Sequence, residues 1–156
     1  MFAKTHISNA TVIMRDPLVL PFEQSEHPQQ IYQKFLKLLL PIREEILKLY
    51  VCKNLRRCIR TALLLLLLRE DPEEIFLKVM HLQDVLDSNS IGLTPNNPKL
   101  PGGLFLTASR LNHLCVPNAD NLYDNISSCM VVIANRDIAI DEEITITYIN
   151  HLNQRL

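Results

Sequence analysis

SRLNHLCVPNA, Ser109 to Ala119, and RDIAIDEEITITY, Arg136 to Tyr148, are the two stretches on which the reading of this 156-residue chain turns. In the second, apolar and polar residues alternate from Ile144 to Ile149. That spacing predicts a strand with Ile144, Ile146 and Tyr148 on one face and Thr145 and Thr147 on the other. Tyr148 therefore points where the isoleucines point, into the interior or a pocket. Taken alone it could equally be a core tyrosine whose hydroxyl meets a buried backbone group. In the first stretch Pro117 and Asn118 are turn punctuation, and Asn112-His113 by itself reads as an Asx turn. Between the two, Met130 to Ala134 is a continuous apolar run of the kind found in strands buried on both faces.

Upstream, DSNSIGLTPNNPKLPGG, residues 87–103, carries all three glycines and three of the nine prolines. It predicts a loop with one short strand. From Gln29 to Leu86 the pattern is helical: Ile31, Phe35, Leu38 and Leu39 fall at helix spacing, Pro41 marks a restart, and Glu44 and Lys48 form an i,i+4 pair. Asp71 as N-cap, Pro72 at the first helical position and Glu73 and Glu74 near the positive helix end open a further helix. Its Ile75, Val79, Leu82 and Leu86 make an apolar stripe facing a core. The first twenty residues read as strand material, with Thr11, Val12 and Ile13 before a turn at Asp16-Pro17 and Leu18, Val19 and Leu20 after it; a polar break from Glu23 to Gln30 ends that piece. Strand, long helical insert, loop and then short strands is an α+β order. It divides the chain into residues 1–22, a helical insert 23–88 and a C-terminal core 89–156.

Hydrophobic residues make up 47% of the chain, enough for a packed globule. A net charge of −1 argues against direct nucleic-acid binding through a basic field. The leucine run Leu63 to Leu68 is far shorter than the ~20 apolar residues that cross a bilayer, so no membrane association is expected. It reads as a buried helix or a partner surface. Cys52, Cys58, Cys115 and Cys129 form no CxxC pair and follow no signal peptide, so reduced thiols in an intracellular protein are expected, nucleus and cytoplasm not being distinguished.

Asn112, His113, Cys115, Pro117 and Asn118, followed about thirty residues later by Arg136, Asp137, Ile138, Glu142, Glu143 and Tyr148, closely resemble the paired motifs of the SET domain family. The resemblance implies a SET-like fold of several short β-sheets with a helical insertion and a pseudoknot, in which the NHxCxPN segment is threaded by the later strand. It implies methyl transfer from S-adenosylmethionine to a lysine amine of a protein or peptide substrate. By the same resemblance Tyr148 is the catalytic tyrosine, and Asn112 and His113 bind the cofactor. Asn89 also matches a cofactor-binding asparagine of split SET domains, although a helix C-cap is an equal reading.

Two parts of the family pattern are expected beyond the chain: a glycine turn before Met1, since Phe2 matches the phenylalanine that follows it, and a cysteine-rich tail after Leu156. In relatives that tail joins a cysteine at the position of Cys115 in holding zinc. No CxCxxC follows Tyr148, and Cys52 and Cys58 do not share a helix face, so no metal is expected and Cys115 is read as a small buried hydrophobe. Leu114 replaces the usual serine, and Asp141 stands where a glycine usually turns, a position an aspartate tolerates. The alternative function is a catalytically inactive SET-like module that binds a protein partner at the leucine-rich helices.

Overall fold

A computed structural model describes residues 1–23, 26–51, 73–93 and 102–148. The elements run β1 (Val12–Phe22), α1 (Pro28–Leu36), α2 (Leu40–Leu47), α3 (Glu73–Asn89), β2 (Ile91–Gly92), β3 (Gly102–Phe105), a 3-10 turn (Ala108–Arg110), β4 (Asn112–His113), β5 (Ala119–Asp124), β6 (Cys129–Ala134) and β7 (Thr145–Ile146). Five strands form one sheet in the order β2-β3-β1-β6-β5, and β4 and β7 form a separate pair.

Strand β1 is the spine of the sheet and corrects one expectation. Asp16-Pro17 is not a turn between two strands; it lies within one continuous strand, at the point where β1 changes partner. Val12 to Pro17 pair antiparallel with β6, and Leu18 to Phe22 pair antiparallel with β3. Proline has no N–H to lose, so the handover between ladders costs little there. Asp16 is buried, and its carboxylate accepts the amides of Thr107 and Ala108, both at 2.6 Å, at the start of the 3-10 turn. The buried charge is thus held by backbone donors and fixes the entry to the first motif stretch.

Gly103 sits between β1 and β2, opposite Pro21 on one side and Ile91 on the other. A Cβ there would come within 2.3 Å of Leu18 Cδ1 and 3.0 Å of Leu93 Cδ2. A side chain at this point would push the Leu18 side chain out of its place between the strands.

Two apolar clusters flank the sheet. Adjacent residues Leu104 and Phe105 belong to different clusters, as strand alternation requires. Leu104 and Leu20 pack against Ile31, Phe35, Ile46, Val79, Leu82, Val85 and Leu86 of the helices. The expected stripe of α3 therefore does face a core. Phe105 packs with Leu111, Met130, Val132, Ile138, Ile144 and Ile146, and the apolar run 130–134 is indeed a strand with two hydrogen-bonded neighbours.

The helical insert differs from expectation in detail. Helix α1 begins inside the expected polar break: His27 Nδ1 accepts the Gln29 amide, and Gln30 Oε1 accepts the His27 amide, a reciprocal cap that the Ser/Thr-based signature does not cover. Leu39, expected on the apolar face, is exposed, because it is the residue before α2 where the chain changes direction ahead of Pro41. Lys48 makes its direct ion pair with Glu45 at 2.8 Å, while Glu44 acts on it only as a more distant favourable charge; α2 ends at Leu47, so i,i+4 helix geometry does not extend to Lys48. The leucine run 63–68, Cys52, Cys58 and the Asp71-Pro72 start lie outside the described residues, as do the side chains of Glu73 and Glu74.

Candidate active site

Strand pair β4 and β7 brings the two motif stretches side by side. The pairing is parallel, with Asn112 opposite Thr145 and His113 opposite Ile146. Parallel neighbours need a long connection, here the β5-β6 hairpin and the turns that follow it. The N-terminal segment braces the second stretch from outside: Phe2 bridges Glu143 and Ile7 bridges Ile138. Asp141 takes a left-handed conformation, φ 60°, and donates its amide to Ala3 O at 2.8 Å, so the aspartate does occupy the tight turn.

Asn118 holds the crossing. It is 1% exposed, and all of its amide is used. Nδ2 donates to Glu142 Oε1 at 2.9 Å and to the Glu143 carbonyl at 2.8 Å, while Oδ1 accepts the Thr145 amide at 2.9 Å. Thr145 is buried beneath it, on the face opposite the isoleucines. Glu142 also accepts Arg136 Nη2 at 2.6 Å and the Ala139 amide at 2.9 Å. The Arg136 hydrogen bond first, then those from Ala139 and Asn118, bring its carboxyl down to about 2.

His113 and Tyr148 meet at the end of this pair. Their rings lie 5.3 Å apart, tilted by 38°. The Tyr148 amide donates to His113 Nδ1 at 3.0 Å. Since Nδ1 accepts, a neutral His113 carries its proton on Nε2, which faces Cys115 Sγ at 3.6 Å. Strand β7 ends at Ile146, so Tyr148 does not follow the buried isoleucines inward: it is 58% exposed, its hydroxyl donates to the Leu111 carbonyl, and partial desolvation there pushes its pKa up. It is therefore a neutral phenol at physiological pH, able to accept a hydrogen bond on its oxygen but not poised as a base. Asn112 is exposed and donates Nδ2 to Glu143 Oε1 at 2.6 Å.

Cys115 is exposed, which corrects its reading as a buried hydrophobe. Strand β4 ends at His113, and the following residues leave the core, with Leu114 and Val116 exposed beside it.

A cavity of about 520 Å³ opens beside Tyr148. The end of α3 with β2, strand β5 and the end of β7 form its walls, and Met130 and Ile146 contribute apolar lining. Asn89 lines it too, as the last residue of α3. Its Nδ2 donates to the carbonyls of Val85, 2.8 Å, and Tyr50, 2.6 Å, and its own carbonyl accepts the Ser109 hydroxyl at 2.7 Å. So Tyr148 and Asn89 share the cavity, and Asn112 and His113 do not line it; Tyr148 is the residue common to both groups. Sequence reasoning missed Asp87, Asp120 and Tyr123 in the lining. Asp87 belonged to a polar loop signal, whereas Tyr123 on β5 carried none.

Among the described residues no group of three or more His, Cys, Asp or Glu side chains is placed to hold a metal ion. No described helix is long and apolar enough to cross a membrane.

The SET domain family model matches residues 1–149. Over 49 residues the chain is 45% identical to the histone-lysine N-methyltransferase set5 of Schizosaccharomyces pombe, a match covering 31% of this chain and 15% of that protein. A crystal structure of the SET domain of LSMT bound to lysine and AdoHcy matches 95% of this chain and 46% of its own, at 13% identity and a TM-score of 0.49. The chain thus spans less than half the length of each of these two matches. With nearly its whole length matched by the family model, the crossing of the two motif stretches is that of a SET domain, and the chain belongs to the SET domain family.

Proposed function

We propose that this chain transfers a methyl group from S-adenosylmethionine to the side-chain amine of a lysine in a protein or peptide. The observation that carries the reading is the placement of Tyr148, which packs on His113 while lining the cavity, so that one phenol stands between two candidate ligand faces. The lysine enters from the cavity. Its stem lies along Ile91, Leu122 and Tyr123 of the lining, and the amine must be neutral, its proton lost to solvent, in order to attack.

The other face fits the cofactor by its chemistry. Asn112 and Glu143 offer an amide oxygen and a carboxylate beside His113, acceptors suited to the ammonium of a zwitterionic amino acid end. Asn89 has both amide hydrogens turned to backbone carbonyls, so its contribution to a ligand would come from its oxygen. S-adenosylmethionine, when bound, supplies a sulfonium methyl whose carbon forms a bond to the lysine nitrogen as the carbon–sulfur pair stays on sulfur; the extra ammonium proton leaves to solvent.

Tyr148 serves by position. Its hydroxyl hydrogen is committed to the Leu111 carbonyl, which leaves the oxygen lone pairs to accept from the amine and from the polarised methyl C–H groups. Methyl transfer to a lysine peptide, read by mass spectrometry, tests this. Tyr148→Phe keeps the ring packing and is expected to lower the rate about 100-fold while the chain still unfolds cooperatively, with a small drop in midpoint from the lost hydrogen bond to Leu111. An unchanged rate would overturn the assignment.

A further inference from the structure

We infer that the cavity selects lysines flanked by basic residues, through Asp87 and Asp120; this rests on the methyltransferase reading of the same cavity. Among the described residues that line it there are two carboxylates and no lysine, arginine or histidine. The carboxylates come from different elements, Asp87 from the last turn of α3 and Asp120 from β5. Gln83 Nε2 donates to Asp87 Oδ1 and Asn135 Nδ2 to Asp120 Oδ1, each at 3.1 Å, so both are oriented by amides.

The end of α3 supplies a second reason. Helix C-termini favour basic side chains, because the backbone carbonyls leave partial negative charge there. The last turn of α3 holds no basic residue and carries Asp87 instead, so the helix end places a carboxylate where it meets the cavity. A local rule broken at a cavity wall points to a cationic ligand. At about 520 Å³ the cavity is within the range of pockets that take drug-sized ligands, so it has room for parts of the neighbouring residues as well as one lysine stem. Basic neighbours pair with the two carboxylates; acidic neighbours are repelled, which gives discrimination of both signs.

The test uses the full chain and three peptides, each with one lysine flanked by arginine, alanine or glutamate, followed both by methyl transfer and by fluorescence anisotropy of peptide binding. The arginine-flanked peptide is expected to show the lowest KM, by about two- to fivefold for each carboxylate engaged, with kcat little changed. High salt should shrink the preference. Asp87→Asn and Asp120→Asn, near-isosteric changes at exposed residues, should each reduce it, and the pair together should abolish it. Equal KM and binding for all three peptides, or a preference that survives the double substitution, would overturn the inference. Transfer without charge preference removes the inference and keeps the lysine methyltransferase reading; charge-dependent binding without transfer to any peptide overturns the methyltransferase reading, and with it the inference as a statement about substrate lysines, leaving only a cavity that binds basic peptides.

Discussion

The helices of residues 28–51 and 73–89 and the strands of residues 102–148 are held together by different kinds of contact. On the helical side Leu20, Ile31, Phe35, Ile46, Leu82, Val85, Leu86 and Leu104 fill space, and a neighbour of similar volume and shape could replace most of them. On the strand side particular atoms are required: Asp16 on two amides, Asn118 on Glu142, Glu143 and Thr145, and His113 on the Tyr148 amide. Apolar packing tolerates exchange because its energy depends on volume and area, whereas a buried amide with all its bonds made has no substitute of the same geometry. Asn112, His113 and Tyr148 sit on the second kind of scaffold, which holds them in one arrangement.

Substitution should expose the contrast most sharply at Asn118. Asn118→Ala leaves the Glu143 carbonyl and Thr145 amide without their partner, and a loss of about 3 kcal/mol is expected in denaturant unfolding. A near-neutral result would mean that the crossing of the two stretches does not depend on this amide. The matching change on the helical side is Leu82→Met, at a fully buried position. There the expected loss is below about 1.5 kcal/mol, and a larger loss than at Asn118 would reverse the comparison.

Acid titration probes the same scaffold. The folded-state pKa of Glu142, about 2, lies below its ordinary value of 4.5. Its contribution to stability is therefore fully present above pH 4.5 and lost as pH falls toward about 2. The chain should lose stability across that window, and Glu142→Gln should flatten the loss when midpoints of urea unfolding are compared at several pH values. The weakest effect is expected where the two regions touch at the surface. Glu45 accepts Arg110 Nη2 at 3.2 Å and Lys48 Nζ at 2.8 Å, and Glu45→Gln should leave the unfolding midpoint unchanged within measurement, because exposed pairs are screened by water and salt.

These differences also explain what could be read before the structure was known. The α3 stripe and the buried strand at 130–134 were legible, since each follows from a periodic or continuous run of apolar residues. The left-handed turn at Asp141 was expected from the resemblance, which places a glycine turn there, and aspartate tolerates that geometry. Asp16-Pro17 misled because the same dipeptide suits a turn or a partner change within a strand, and only the amides of residues 107 and 108, far away in sequence, decide between them. Cys115 misled because composition cannot say where a strand as short as β4 stops. That the two stretches cross came from resemblance, whereas the parallel match of Asn112 to Thr145 was not foreseen, as no local pattern encodes a pairing across that separation. Asp87, Asp120 and Tyr123 were missed in the cavity because convergence of α3 with β5 is a property of packing, invisible to spacing.

The central claim, that Asn112 and His113 form a cofactor face alongside Tyr148, is tested most directly by thermal unfolding of the chain with and without excess S-adenosylmethionine, repeated for Asn112→Ala. A ligand bound by the folded state alone raises stability by mass action, about 2.7 kcal/mol at a hundredfold excess over Kd. The account predicts a clear upward shift of the unfolding midpoint that disappears in the variant. Cooperative unfolding with no shift at any cofactor concentration, or a shift of equal size in Asn112→Ala, would contradict it.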